Sequence, residues 1–248
     1  KTFTIGFEDK KHNEFKYSKI IADKFKTHHK EIIISNNDYF KNISSLIKYK
    51  DAPLSVPNEV SLFLMSKELK KDISVVLSGE GADEIFGGYG KIFRSPYDLS
   101  RIKNIDNLGL SEREKKILSL NFINKYGVET FKGEINHFLN IYSYTSFEEK
   151  QELLDSSINL KDIELKIKDQ IAIFFNELED ESYFNKISYA FEKIHLLGLL
   201  HRLDTPTMSS SVEARVPFVD HRLVELAFTI PMKYKLKWIS DSHKEKSK

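Results

Sequence analysis

Val75-Val-Leu-Ser-Gly-Glu-Gly-Ala-Asp-Glu-Ile-Phe-Gly-Gly-Tyr89 joins an apolar run to a glycine-rich turn, and five of the chain's ten glycines fall between Gly79 and Gly90. The run from Ile73 to Leu77 predicts a buried strand. In open parallel α/β sheets, ligands bind beyond the carboxyl ends of the strands, where a turn of this kind presents backbone donors. Gly79 and Gly81 remove side chains where a ligand would approach closely. Glu80, Asp83 and Glu84 can project from one turn, so that one carboxylate holds magnesium while another contacts a reacting group. The plainer alternative is a structural turn whose carboxylates complement a helix dipole.

Upstream, Thr2 to Phe7 reads as a strand, and Tyr17, Ile20, Ile21 and Phe25 recur at helical spacing within 12–26. Glu31 to Ser35 holds three successive isoleucines and reads as a strand buried on both faces. Strand, helix and strand in this order make a βαβ unit. Helices are also expected over 38–49 and 57–71, the second with Pro57 at its tolerant first turn. Strands 2–6, 31–35 and 73–77 are therefore expected as neighbours in one mostly parallel sheet. Beyond Ser95, helices are expected over 111–125, 146–155, 160–178 and 182–202, with Ser-x-x-Glu capping boxes at Ser111 and Ser146. The expected fold is α/β, with a parallel-sheet nucleotide-binding part over 1–95 and a mainly helical part over 96–248 of one domain.

The 248 residues are 40% hydrophobic, enough for a substantial core, and 38 Lys plus Arg nearly balance 37 Asp plus Glu. No broad field therefore favours nucleic acid or an anionic membrane. The chain has no cysteine, which excludes disulfides and thiolate chemistry within it. No apolar run approaches the roughly 20 residues of a membrane helix, and no signal peptide opens the chain. A cytoplasmic protein is expected, and the abrupt start at Lys1 suggests an upstream segment. His28, His29, His195, His201, His221 and Met208 show no ligand spacing and read as surface, core or substrate-wall residues. The Lys-rich end from Lys233 to Lys248 reads as a solvated face and tail.

Ser78-Gly-Glu-Gly-Ala-Asp-Glu-Ile-Phe-Gly-Gly-Tyr89 resembles the signature of the asparagine synthetase (glutamine-hydrolysing) family. Ser211-Val-Glu-Ala-Arg-Val-Pro-Phe-Val-Asp220, followed by Ile230-Pro231, resembles a second family segment, and Phe3 to Phe7 with His29 and Glu31 resembles the second strand region. The resemblance implies an adenine nucleotide alpha hydrolase-like (ATP pyrophosphatase) core, with ATP and magnesium as cofactors. Carried over by position, the Ile5 main chain meets adenine, Ser78 and Gly79 contact the nucleotide, and Asp83 is a magnesium ligand. Glu80 stands beside the reacting carboxylate and incoming amine, while Arg202 and Arg215 fall among the arginines at or supporting the site. Arg215 has an equal structural reading, as a buried arginine paired with Glu213 or Asp220. The substrates implied are aspartate or another carboxylate and ammonia from glutamine, and a homodimer is compatible.

Several departures qualify the resemblance. The family's Ser-Gly-Gly-x-Asp-Ser pyrophosphate loop, its N-terminal glutaminase domain and a downstream lysine do not occur in these residues, so the 248 residues alone are expected not to catalyse amidation. Thr205-Pro-Thr-Met208 stands where relatives carry a basic residue, and Ser211 replaces a common glycine. An acceptor in polysaccharide or secondary-metabolite synthesis, or a non-catalytic synthetase-like module, are the competing expectations.

Overall fold

The structure, a computed structural model, describes residues 1–236; residues 237–248 of the Lys-rich end lie outside them. The chain forms two compact units, one of Lys1–Glu80 and Leu197–Asp220, the other of Gly81–Leu196 and the chain from His221 onward.

The first unit opens with the expected βαβ arrangement of β1 (Thr2–Phe7), α1 (Phe15–Phe25) and β2 (His29–Ile34). The strands pair in parallel from Thr2 opposite His29 to Phe7 opposite Ile34, which needs the crossover that α1 supplies. Left-handed Lys26 (φ 52°) stops α1, and the Thr27 N–H returns to the Ala22 carbonyl at 3.0 Å, a Schellman-type ending. The three isoleucines of β2 do not bury on both faces as expected. Ile32 and Ile34 are buried while Ile33 is 53% exposed, the alternation of a strand with one covered face. Ser35 is not part of the strand, because its hydroxyl accepts the Asp38 N–H at 3.0 Å and caps α2 (Asn36–Lys50).

α3 (Asn58–Lys70) brings Val60 and Phe63 against Leu46 of α2. In the same pair of helices, Lys50 Nζ donates to both Glu59 oxygens at 3.0 and 2.8 Å, with side chains only 6% and 1% exposed. The Ser55 N–H adds a third bond at 3.0 Å. Burial acts to raise the Glu59 carboxyl, but the Lys50 and Ser55 donors outweigh it and hold the group below its ordinary range.

The single expected sheet is not found. Among the described residues, β3 (Val75–Leu77) pairs in parallel with β4 (Glu213–Arg215), apart from the β1–β2 pair. β3 is also shorter than expected, because the N–H groups of Asp72 and Ile73 both bond to the Leu69 carbonyl at 2.9 Å and complete the end of α3. Nor is it a buried strand, with Val75 42% and Leu77 69% exposed.

The second unit is helical: α4 (Ala82–Phe86), α5 (Gly90–Phe93), α6 (Ser95–Lys103), α7 (Glu112–Tyr126), α8 (Glu134–Tyr142), α9 (Phe147–Leu153), α10 (Leu160–Asn176) and α11 (Tyr183–Phe191). Both expected capping boxes form, Ser111 with Glu114 and Ser146 with Glu149. Phe93, Phe122, Phe138, Phe175, Phe184 and Phe191 are buried in one aromatic-rich core. His137 is wholly buried beside it, 2.5 Å from the Tyr183 hydroxyl through Nδ1, and burial lowers its pKa to about 4. The helix expected over 182–202 is interrupted. α11 gives way to a π turn, Glu192–Leu196, before α12 (Leu197–Met208) continues in the first unit. α13 (His221–Thr229) and α14 (Met232–Lys235) return to the second unit. No helix among the described residues is long and apolar enough to cross a membrane.

Candidate active site

Where β3 ends, Ser78 continues the ladder, its N–H bonding to the Arg215 carbonyl at 2.8 Å. The Ser78 hydroxyl accepts the Glu80 N–H at 3.3 Å, a local side-chain bond that bends the chain over two residues. A Cβ on Gly79 would meet nothing within 4 Å, so the space before it is open. The turn delivers Glu80 to Arg202 of α12, 122 residues later, where Arg202 Nη2 donates to Glu80 Oε1. The two side chains are 17% and 22% exposed, so water screens the pair less than it would at an open surface.

Arg202 carries an unmet donor. Its Nε is buried without a hydrogen-bond partner, a condition that costs about 1–3 kcal/mol. α12 anchors this arginine by burying Leu199, Leu203, Pro206 and Thr207. Pro206 also lacks the N–H that an uninterrupted helix would give to the Arg202 carbonyl. Downstream of the helix, Ser211 has a left-handed backbone with φ 54°. Its carbonyl accepts Lys70 Nζ at 2.9 Å. Glycine adopts this backbone with less strain, a physical reason for the common glycine at this place in the resemblance.

Arg215 closes β4, with Nε 2.9 Å from Glu213 Oε1. Its side chain is 62% exposed, which corrects the sequence expectation of a buried arginine, while the Glu213 pairing is present. Ile5 lies in the other sheet of this unit, opposite Ile32, and no strand pairs with the second edge of β1 among the described residues. His29 and His201 have local hydroxyl partners, Thr2 and Thr205, each at 2.9 Å from Nδ1.

The remaining carboxylates of the motif belong to the second unit and diverge. Glu84 is 2% exposed and accepts the Tyr89 hydroxyl at 2.6 Å. Asp83 is exposed, and its carboxylate rests where a side chain on Gly88 would stand. The Gly88 N–H also donates to the Asp83 carbonyl at 2.8 Å. No group of three or more His, Cys, Asp or Glu side chains suited to a metal occurs among the described residues. Sequence reasoning named Asp83 and the glycines Gly79 and Gly81 but missed that Gly88 seats Asp83. The available signal was the five-residue separation, which brings the end of a short helix back over its first turn.

The family described as Asparagine synthase matches residues 1–247. Asparagine synthetase (glutamine-hydrolyzing) 1 of Bacillus subtilis (strain 168) is 31% identical over 243 residues, covering 96% of this chain and 37% of the relative. Asparagine synthetase (glutamine-hydrolyzing) 3 of the same organism is 29% identical over 220 residues, covering 87% and 30%. A putative asparagine synthetase (glutamine-hydrolyzing) 2 of Methanocaldococcus jannaschii is 39% identical over 88 residues, covering 36% of this chain and 17% of the relative. The chain spans about a third of the length of the two Bacillus relatives. With a family match along nearly its whole length and a relative 31% identical over 96% of the chain, the chain belongs to the asparagine synthase family.

Proposed function

We infer that the chain is the carboxylate-activating part of an ATP-dependent amide ligase. In this reaction a substrate carboxylate oxygen attacks the α-phosphorus of ATP and pyrophosphate leaves; ammonia then attacks the acyl carbon and AMP leaves. The observation that carries the reading is the Glu80–Arg202 pair with its unfilled Arg202 Nε. A substrate carboxylate brings the acceptor oxygen that this buried donor lacks. The Glu80 carboxylate beside it can take the proton that ammonia must lose as the C–N bond forms.

The nucleotide is assigned to the Ile5 main chain, Ser78 and Gly79, in an adenine nucleotide alpha hydrolase-like sheet. The edge of β1 left unpaired among the described residues, and the exposed apolar residues Val75 and Leu77 of β3, leave each of the two strand pairs open to further strands. Asp83 suits a magnesium ion in its chemistry, being an exposed hard-oxygen donor seated against Gly88. Magnesium commonly uses one or two protein carboxylates together with phosphates and waters. When bound, it would screen phosphate charge, and Arg215 is assigned a supporting role in the same reaction. Aspartate as acceptor and ammonia drawn from glutamine are supported by the relatives' names; a separate N-terminal glutaminase domain, a cytoplasmic location and a homodimer complete the reading. A second reading, another acceptor carboxylate, is favoured by Thr205. It opens the Thr205–Met208 stretch, in which the resemblance has a basic residue, and its hydroxyl lies 2.9 Å from His201 Nδ1.

The test is Glu80→Gln in the full-length parent protein. Amide formation should fall on the order of 100-fold or more, the scale of losing one preorganised group at a reacting centre, with little change in melting temperature. Turnover near that of the unaltered protein would remove Glu80 from the chemistry.

A further inference from the structure

Within the second unit, a cavity of about 480 Å³ opens between the end of α8, the segment Gly88–Ile92 and the π turn. Its size falls in the range of about 300–1,000 Å³ common for small-molecule sites. Three rings make a corner in its wall. His195 stands edge-on to Tyr89 at 5.6 Å and edge-on to Tyr142 at 5.9 Å between ring centroids. Behind them, Phe191 stacks on His195 at 4.2 Å and Phe138 stacks on Tyr142 at 5.4 Å.

The corner is preformed. The Tyr89 hydroxyl is tied to buried Glu84 at 2.6 Å, and the Tyr142 hydroxyl lies 3.4 Å from His195 Nδ1. A ligand entering here would not have to order these rings, which removes part of the entropic cost of binding. His195 reaches the corner from the π turn Glu192–Leu196, and such turns inside helices occur often at functional sites. Core packing accounts for Phe138 and Phe191, which are wholly buried. It does not account for Tyr144, which lines the cavity while remaining fully exposed.

Charge selects the ligand class. Lys91 lines the cavity, and among the described residues no carboxylate does; Glu84, the nearest in sequence to Tyr89 along the motif, is committed to the Tyr89 hydroxyl. A cationic ligand would therefore meet like charge without a counter-ion. An anion gains Lys91 and the Ser143 hydroxyl, and a ring attached to it gains the tyrosine and histidine faces. We propose that this cavity binds a small ring-bearing anion, a carboxylate or a phosphate ester, and that Lys91 and Tyr144 are its charge and stacking determinants.

The site is independent of the amide-forming reading, because nothing in its recognition requires ATP, Asp83 or Glu80. Ligand-observed NMR on the full-length parent protein, without nucleotide, tests it with benzoate, phenyl phosphate and benzylamine as probes. Benzoate or phenyl phosphate should bind through its ring protons, the stronger of the two identifying the anion, and benzylamine should not. Lys91→Gln and Tyr144→Ala alter exposed side chains and should keep the fold; each should weaken the anionic probe about tenfold, equivalent to about 1.4 kcal/mol. Failure of both anionic probes to bind, equal binding of benzylamine, or binding indifferent to both substitutions would overturn the proposal. Amidation assays play no part, so these outcomes leave the ligase reading untouched.

Discussion

Gly88 does not occupy the left-handed region that Gly81 and Gly87 use, so its missing side chain serves a neighbour and not its own backbone. A Cβ there would stand 2.6 Å from Asp83 Cγ and 2.8 Å from Asp83 Cβ. Rotation about χ1 swings the carboxylate but leaves Cβ in place, so a rotamer change cannot clear the overlap. Gly88→Ala in the full-length protein should displace the first turn of α4 at a cost of about 1–3 kcal/mol, the usual scale of overpacking. It should also raise the magnesium concentration needed for half-maximal activity. Asp83→Asn should do the same, and the double substitution should add little beyond it, since both act on one carboxylate. Magnesium titrations of the three variants check this, and an unshifted titration for Gly88→Ala would separate the glycine from metal binding.

At the scale of elements, the joint between α2 and α3 depends on a buried charge pair. Removing Lys50 leaves Glu59 charged and 1% exposed, so Lys50→Met should destabilise the protein by about 3–5 kcal/mol in urea unfolding. Joint replacement by Lys50→Met and Glu59→Leu should recover much of that loss, because no orphaned charge remains. His137 makes stability depend on acid. Its folded pKa is about 4 against an ordinary 6.5, so the unfolded chain takes up the proton first as pH falls. The stability that neutral His137 confers is complete above pH 6.5 and is lost between 6.5 and 4, up to about 3 kcal/mol. Glu192 works in the opposite direction, its carboxyl raised to about 7 by burial, and weakens the fold as pH rises from 4.5 through 7. Urea midpoints of the protein and of His137→Phe at pH 7.5 and 4.5 isolate the histidine; the acid loss should be smaller in the variant.

The elements also show what was legible in the chain. The capping boxes at Ser111 and Ser146 were readable because their partners lie three residues away. The βαβ unit was readable because one helix links its two strands. The partner of β3 was not, since Val75 and Glu213 are distant in sequence and Glu213-Ala-Arg215 is too short for a periodic signal. Glu80 and Arg202 were each named by resemblance, but their ion pair depends on the turn after β3 and the placement of α12. The break at Glu192–Leu196 was hidden because the apolar pattern continues through it.

At the scale of the whole molecule, the first unit holds the Glu80–Arg202 pair together with Ser78, Gly79 and Arg215, and within the second unit Asp83 is seated against Gly88. The chain spans about a third of the length of the two Bacillus relatives. The central claim is activation of a carboxylate by transfer of AMP, and the fate of the ATP phosphates tests it. Full-length parent protein should be incubated with ATP labelled at the α- and γ-phosphates, magnesium, ammonia and a panel of carboxylates that includes aspartate. The account predicts carboxylate-dependent release of pyrophosphate and AMP in equal amounts, with an amide formed for each pair. Formation of ADP and inorganic phosphate in place of AMP and pyrophosphate, or pyrophosphate release indifferent to every carboxylate, would contradict it.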